Sequence, residues 1–228
     1  MQDLYTDSRQ ASARPEAVSK LLRNTYMLLG MTLLFSAATA GLSMALNLGH
    51  GIAIICSIVA LVLVWFVLPK TANSSTGLLV VFAFTGLLGA ALGPMLNHYL
   101  AMPNGASVVM QALGGTALVF FGLSGYVLTT GKDFSFMGGF LMTGLIVVIV
   151  GAVGAMIAGM FGVDVSMFRL AVSGAVVFLM SGFILYDTSR IINGGETNYI
   201  YATTALYLDI YNLFTSLLHI LGFMNSDD

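Results

Sequence analysis

Charge is what this chain has least of. Of its 228 residues only 8% are Asp, Glu, Lys or Arg, against 58% that are hydrophobic. A soluble domain carries roughly a quarter of its residues charged, so a water-exposed globular surface is excluded. With a mean hydropathy of +0.94, the chain reads as a polytopic membrane protein. Most of its 8 basic and 10 acidic residues crowd into the first 23 positions and the short loops. No basic surface is left for nucleic acid. The single cysteine, Cys56, lies in an apolar run and excludes both a disulfide framework and a thiolate metal site. Absent too are a His-x-x-x-His zinc motif, a glycine-rich phosphate loop and a Gly-x-Ser-x-Gly elbow, so neither an enzyme nor a cofactor is expected.

What is present is a series of seven apolar runs, at about 22–46, 52–68, 77–97, 107–129, 135–161, 167–190 and 201–222, each bounded by Pro, Gly, Asn or a charge. They are continuously apolar, without the two-residue alternation of a lipid-facing barrel, and each suits a membrane helix. Ala38-Thr39-Ala40 resembles a signal-peptidase site, but the apolar run continues to Leu46 and fits an uncleaved first span. The expected fold is therefore all-α, a seven-transmembrane-helix bundle over 21–228 preceded by a flexible polar tail over 1–20. Arg9, Arg14, Lys20, Arg23, Lys70, Lys132 and Arg190 fall on one side of it and Arg169 alone on the other. This bias places the N-terminus in the cytoplasm and the C-terminus outside. Gly89 and Gly93 in span three, and Gly151, Ala155 and Gly159 in span five, are spaced for close helix packing.

Ionisable side chains at membrane depth cost roughly 2.5–3.5 kcal/mol on insertion scales, which singles out Asp209, well inside span seven, and Asp187, near the end of span six. Asp209, Asn212, Ser216 and His219 follow at intervals that put them on one helical face, a polar seam that must look inward and so calls for a span seven enclosed by the others. Spans six and seven run antiparallel through a short loop, which brings both carboxyls to the same half of the membrane. Two carboxyls in one poorly hydrated site cannot both ionise cheaply, so the pair is a candidate pH sensor exchanging protons. Deprotonated, it offers oxygen ligands to a hard cation such as calcium. Alternatives stay open. Asp187 pairs equally well with Arg190 one turn on, the candidate latch partner; Asp209 could serve a structural hydrogen bond; and His219 suits a satisfied interface residue. A paired-aspartate protease is disfavoured, because neither Asp187 nor Asp209 has a Gly-x-Gly-Asp context.

Two stretches, Leu185-Tyr186-Asp187-Thr188-Ser189-Arg190-Ile191 and Ala205-Leu206-Tyr207-Leu208-Asp209-Ile210-Tyr211-Asn212-Leu213-Phe214, resemble the C-terminal signature of the Bax inhibitor-1 family. Phe84-Thr85-Gly86, Leu92-Gly93-Pro94 and Gly114-Gly115-Thr116-Ala117 add to the likeness, which runs from about Leu22 to the end. Tyr26, Lys70-Thr71-Ala72-Asn73, Tyr126-Val127-Leu128-Thr129-Thr130, Asp133 and Gly194-Gly195-Glu196-Thr197-Asn198-Tyr199-Ile200 are similar to its bacterial YccA-type branch. That resemblance implies an inner-membrane protein that binds the FtsH protease, or its membrane partner complex, and restrains it. For the wider family it implies a pH-regulated calcium leak sensed by the aspartates matching Asp187 and Asp209. Some members carry an arginine in span two; residues 52–68 here have none.

Overall fold

The computed structural model describes the backbone of residues 2–226 and the side chains of 16–225. Met1, Asp227 and Asp228, and the side chains of most of the expected polar tail, lie outside the described residues. Lipid offers backbone N–H and C=O groups no partner, so each spanning segment must satisfy its own. Accordingly the chain is a succession of helices: α1 (Gln2–Ala45), α2 (His50–Val62), a π-turn (Leu63–Val67) leading into α3 (Leu68–Thr71), α4 (Ser75–Leu100), α5 (Gly105–Thr130), a 3-10 turn (Ser135–Met137) leading into α6 (Gly138–Met160), α7 (Ser166–Ile192) and α8 (Tyr199–Ser226). Seven stretches are long and apolar enough to cross a membrane: Glu16–Ala45, His50–Thr71, Ser75–Leu100, Gly105–Thr130, Ser135–Met160, Ser166–Ile192 and Tyr199–Asn225. They coincide with the seven apolar runs, and most extend beyond them by a few residues.

The second span was expected to stop at Leu68, before Pro69, yet helix continues to Thr71. Proline removes an N–H and its ring crowds the carbonyl four residues back, that of Trp65. The chain accommodates this by widening into the π-turn just ahead of Pro69. Trp65 and Phe66 in that turn are exposed, as are Ile54, Ile55, Ile58 and Leu61 on α2, a face suited to lipid.

α8 sits at the centre. It packs against α1, α4, α5 and α7, while α2 leans on α4 and α6 on α7 at the periphery. Among the described residues the backbones of α1 and α5 stay apart, and the two helices meet through the rings of Tyr26 and Phe120, 6.1 Å between centroids. The crevice between them, floored by Tyr207, Ile210 and Phe214 of α8, holds an apolar cavity of about 450 Å³. α1 and α4 lie closest. A Cβ on Gly86 would strike the Phe35 ring, one on Gly89 the Ser36 carbonyl and Thr39 Oγ1, and one on Gly93 the Ser43 side chain. That approach lets Ser43 Oγ donate to the Ala90 carbonyl at 2.7 Å. On α6 the small residues make room for α7: Gly151 beside Phe168 and Val172, Gly159 beneath Arg169.

At the end where α8 begins, Asn198 joins two loops. Its Nδ2 donates to the Ala72 carbonyl at 3.0 Å and to Asn73 Oδ1 at 2.8 Å, while its own Oδ1 accepts from Ile200 N–H at 2.8 Å. The turn before it requires Gly194, at φ +80°, where a Cβ would be strained. Where α1 and α4 meet, Gly89 is the glycine whose added Cβ would run into backbone, the Ser36 carbonyl. Gly89→Ala is expected to cost about 1–3 kcal/mol, seen as a lower melting temperature of the purified protein, whereas Gly154→Ala, which meets nothing within 4 Å, should leave it unchanged. Equal melting temperatures for the two would contradict the close α1–α4 approach.

Candidate functional site: a buried carboxyl pair

The antiparallel α7 and α8 bring Asp187 and Asp209 together. Asp187 lies five residues before the end of α7 and Asp209 ten after the start of α8, depths of about 7.5 and 15 Å at 1.5 Å per residue. Side-chain reach closes the difference, and the two carboxyls lie within hydrogen-bonding reach of each other. Both residues are buried, Asp209 at 5% exposure and Asp187 at 9%. Asp209 Oδ2 is fully enclosed and has no hydrogen-bond partner among the described residues. A carboxylate only accepts, so two carboxyls share a hydrogen bond only with a proton between them.

From this buried end a line of charged groups leads to the surface. Arg190 Nη1 stands 3.8 Å from Asp187 Oδ1 one turn along α7. Its Nη2 is 3.6 Å from Glu196 Oε2 and donates to the Gly195 carbonyl at 3.0 Å. The guanidinium lies over the Tyr186 ring, 5.6 Å from its centroid. Glu196 in turn accepts from the N–H groups of Thr197 and Asn198, both at 2.8 Å, which fixes the loop ahead of α8. Asp209, Asp187, Arg190 and Glu196 thus form one sequence of contacts from the membrane interior to the α7–α8 loop.

The remaining residues of the expected seam lie elsewhere. Asn212 donates back to the Leu208 carbonyl at 2.9 Å within its own helix. Ser216 is buried. His219 Nδ1 is hydrogen bonded to Ser173 Oγ at 2.8 Å, toward the other end of α8. Asp187, Asp209 and Arg190 are therefore brought together, and His219 is not. Among the described residues no three of His, Cys, Asp and Glu converge.

Several groups around the pair escaped the stripe reading. Tyr207, fully buried, donates from its hydroxyl to the Thr85 carbonyl at 3.2 Å and lies 2.7 Å from Ser36 Oγ, tying α8 to both α4 and α1. Its ring meets Phe84 edge-on and stacks on Tyr211. Ser124 and Thr188 hydroxyls join α5 to α7 at 3.1 Å. Beside Asp187 in α7, Ser189 accepts from the Phe134 N–H at 2.8 Å and from Asn193 Nδ2 at 3.2 Å, and donates to Asp133 Oδ1 at 3.3 Å. The available signal was a hydroxyl inside an apolar span, which usually finds a partner when buried.

This architecture defines a class: a polytopic, all-helical membrane protein whose last span is the hub and carries half of a buried carboxyl pair. Residues 18–226 match the family model described as inhibitor of apoptosis-promoting Bax1; the chain belongs to the Bax inhibitor-1 family. It is 53% identical over 210 residues, 92% of each chain, to a membrane protein of Vibrio cholerae. It is 51% identical to the modulator of FtsH protease YccA of Escherichia coli over 208 residues, 91% of this chain and 92% of that one. A protein of Pseudomonas aeruginosa is 46% identical across the whole of both chains.

Contact between the carboxyls should appear as non-additivity. Asp187→Asn and Asp209→Asn, measured singly and together by chemical denaturation in detergent, are expected to couple by about 0.5–3 kcal/mol; strictly additive losses would mean the groups do not interact. Outside the spans, Asp133 has its carboxyl held below the usual value by hydrogen bonds, those from Ser135 first and that from Ser189 after. A depressed carboxyl stabilises above its unfolded value of about 3.9 and loses that effect as pH falls through the folded value. The wild-type melting temperature should therefore fall more steeply below about pH 4 than that of Asp133→Asn.

Proposed function

We propose that this chain is a multi-pass protein of the bacterial inner membrane that restrains the FtsH protease. Its partners are FtsH and the membrane complex FtsH works in, with the N-terminus in the cytoplasm and the C-terminus on the periplasmic side. One observation carries this reading: the 51% identity, over 91% of this chain, to a protein named for modulating FtsH. The fold is compatible with it. A protease that pulls on a cytosolic segment and must extract the body behind it would have to break the close α1–α4 contact and the buried hydroxyl bonds of α8.

The test is the half-life of an FtsH membrane substrate in cells expressing the full chain, a chain lacking residues 1–20, or Asp209→Asn. The full chain is expected to lengthen the half-life, the deletion to abolish the effect, and Asp209→Asn to keep most of it. A half-life indifferent to the full chain would overturn the proposal.

The line Asp209–Asp187–Arg190–Glu196 favours a second reading, a calcium leak regulated by pH. Loss of the proton shared by the carboxyls would leave two negative charges in a poorly hydrated place. The pair would then either recruit a divalent cation or draw Arg190 inward. Calcium takes six to eight oxygen ligands, so water would have to complete the shell around these two carboxylates. Liposomes holding the purified protein should then pass calcium in a pH-dependent manner that Asp209→Asn removes; flux no greater than that of empty liposomes would rule this reading out.

A further inference from the structure

Among the basic residues with described side chains, Arg169 alone stands at the end of the bundle opposite Lys20, Arg23, Lys70, Lys132 and Arg190. It lies in the first turn of α7, where the helix dipole disfavours a positive charge. No ion pair compensates among the described residues: both involve Arg190. The nearby loop carboxylate, Asp164, accepts through Oδ1 from the N–H and hydroxyl of Ser166 at 2.9 and 2.7 Å and makes no ion pair with Arg169. Bilayer insertion favours no cation here, and no carboxylate among the described residues pairs with this one.

The surroundings of the guanidinium supply the reason. Arg169 lies across α6 above Gly159, where an added Cβ would stand 3.2 Å from Nη2. One turn further along α7, Ser173 Oγ is bonded to His219 Nδ1 of α8 at 2.8 Å. Among the described residues α6 and α8 do not approach each other. Between them Arg169, Ser173 and His219 line a cavity of about 320 Å³, walled otherwise by residues such as Ala152, Ala155 and Val172, with no acidic side chain. Either tautomer of the histidine leaves a donor: if Nδ1 accepts from Ser173, the Nε2–H is free, and if Nδ1 donates, the serine O–H is free. The cavity thus offers a planar, multiply donating cation, a further donor and no competing negative charge, the chemistry that recognises a phosphate. Arg169 lies three residues inside α7, about 5 Å from its end and close to the depth of lipid headgroups. The apolar remainder of the crevice runs inward from there.

We propose that Arg169, Ser173 and His219 form a phosphate-binding site that holds the headgroup phosphate of an acidic phospholipid, its acyl chains lying along the groove between α6 and α8. The test uses the full-length protein in detergent with three probes: a short-chain phosphatidylglycerol, the diacylglycerol of the same chains, and inorganic phosphate. Phosphatidylglycerol should bind, Arg169→Gln should weaken it about tenfold or more, Arg169→Lys should keep part of it, and diacylglycerol should not bind. Ala152→Leu, which fills the cavity from α6 without touching a polar group, should cause a similar loss. If inorganic phosphate competes with the same dependence on Arg169, the site is upheld with soluble phosphate as its source. Equal binding of phosphatidylglycerol by wild type and a folded Arg169→Gln, or equal binding of diacylglycerol, would overturn it.

Discussion

Polar side chains on a membrane helix must find their hydrogen bonds inside the protein, because the hydrocarbon around them supplies none. α8 carries more of these side chains than its neighbours, and the bundle is arranged around that need. Thr203 reaches the Thr25 carbonyl of α1 at 3.2 Å, Tyr207 reaches α1 and α4, and Asp209 reaches α7. Three of the four helices surrounding α8 thus meet it at a buried polar contact. α2 and α6, which are almost wholly apolar, are left outside, where lipid covers faces that water could not.

The sequence made the spans legible because an uninterrupted apolar run of this length has one use in a chain so poor in charge. The meeting of Asp187 with Asp209 was legible as well, since a short loop forces antiparallel neighbours and equalises their depth. Tyr207 was not. It sits two residues from Asp209, about 200° away around the helix, and a search along the Asp209 face passes it by. Its ring reads as apolar, although its hydroxyl is the pin between three helices. The contact of Asn198 with Ala72 and Asn73 spans more than a hundred residues, and no local spacing reports it. Pro69 was visible as an obstacle, but the compensating π-turn depends on how the backbone distributes one misplaced carbonyl.

The two ends of the molecule are chemically unlike. At one, carboxyls and a guanidinium are held in mutual contact and leave few open valences. At the other, Arg169 and the Ser173–His219 pair face a crevice that the protein itself does not fill. Modulation of a large membrane protease and exchange with lipid make different demands on a surface, and separate ends can meet them independently. The small residues of α6 link packing to this asymmetry, since Gly159 both admits α7 and makes room for its arginine.

The central position of α8 also bears on how the protein is made. This helix leaves the ribosome after the other six spans, yet it is the one that four of them surround. Until it arrives, the Thr25 and Thr85 carbonyls and the Ser36 hydroxyl have no α8 partner, and α1, α4, α5 and α7 lack their common neighbour. These contacts join residues far apart in the chain, so none of them can form until the last span is in the bilayer. A nascent chain stalled before Tyr199 would leave Asp187 and the Ser36 hydroxyl without their α8 partners, the kind of exposed polar surface by which quality-control machinery tells unfinished membrane proteins from finished ones.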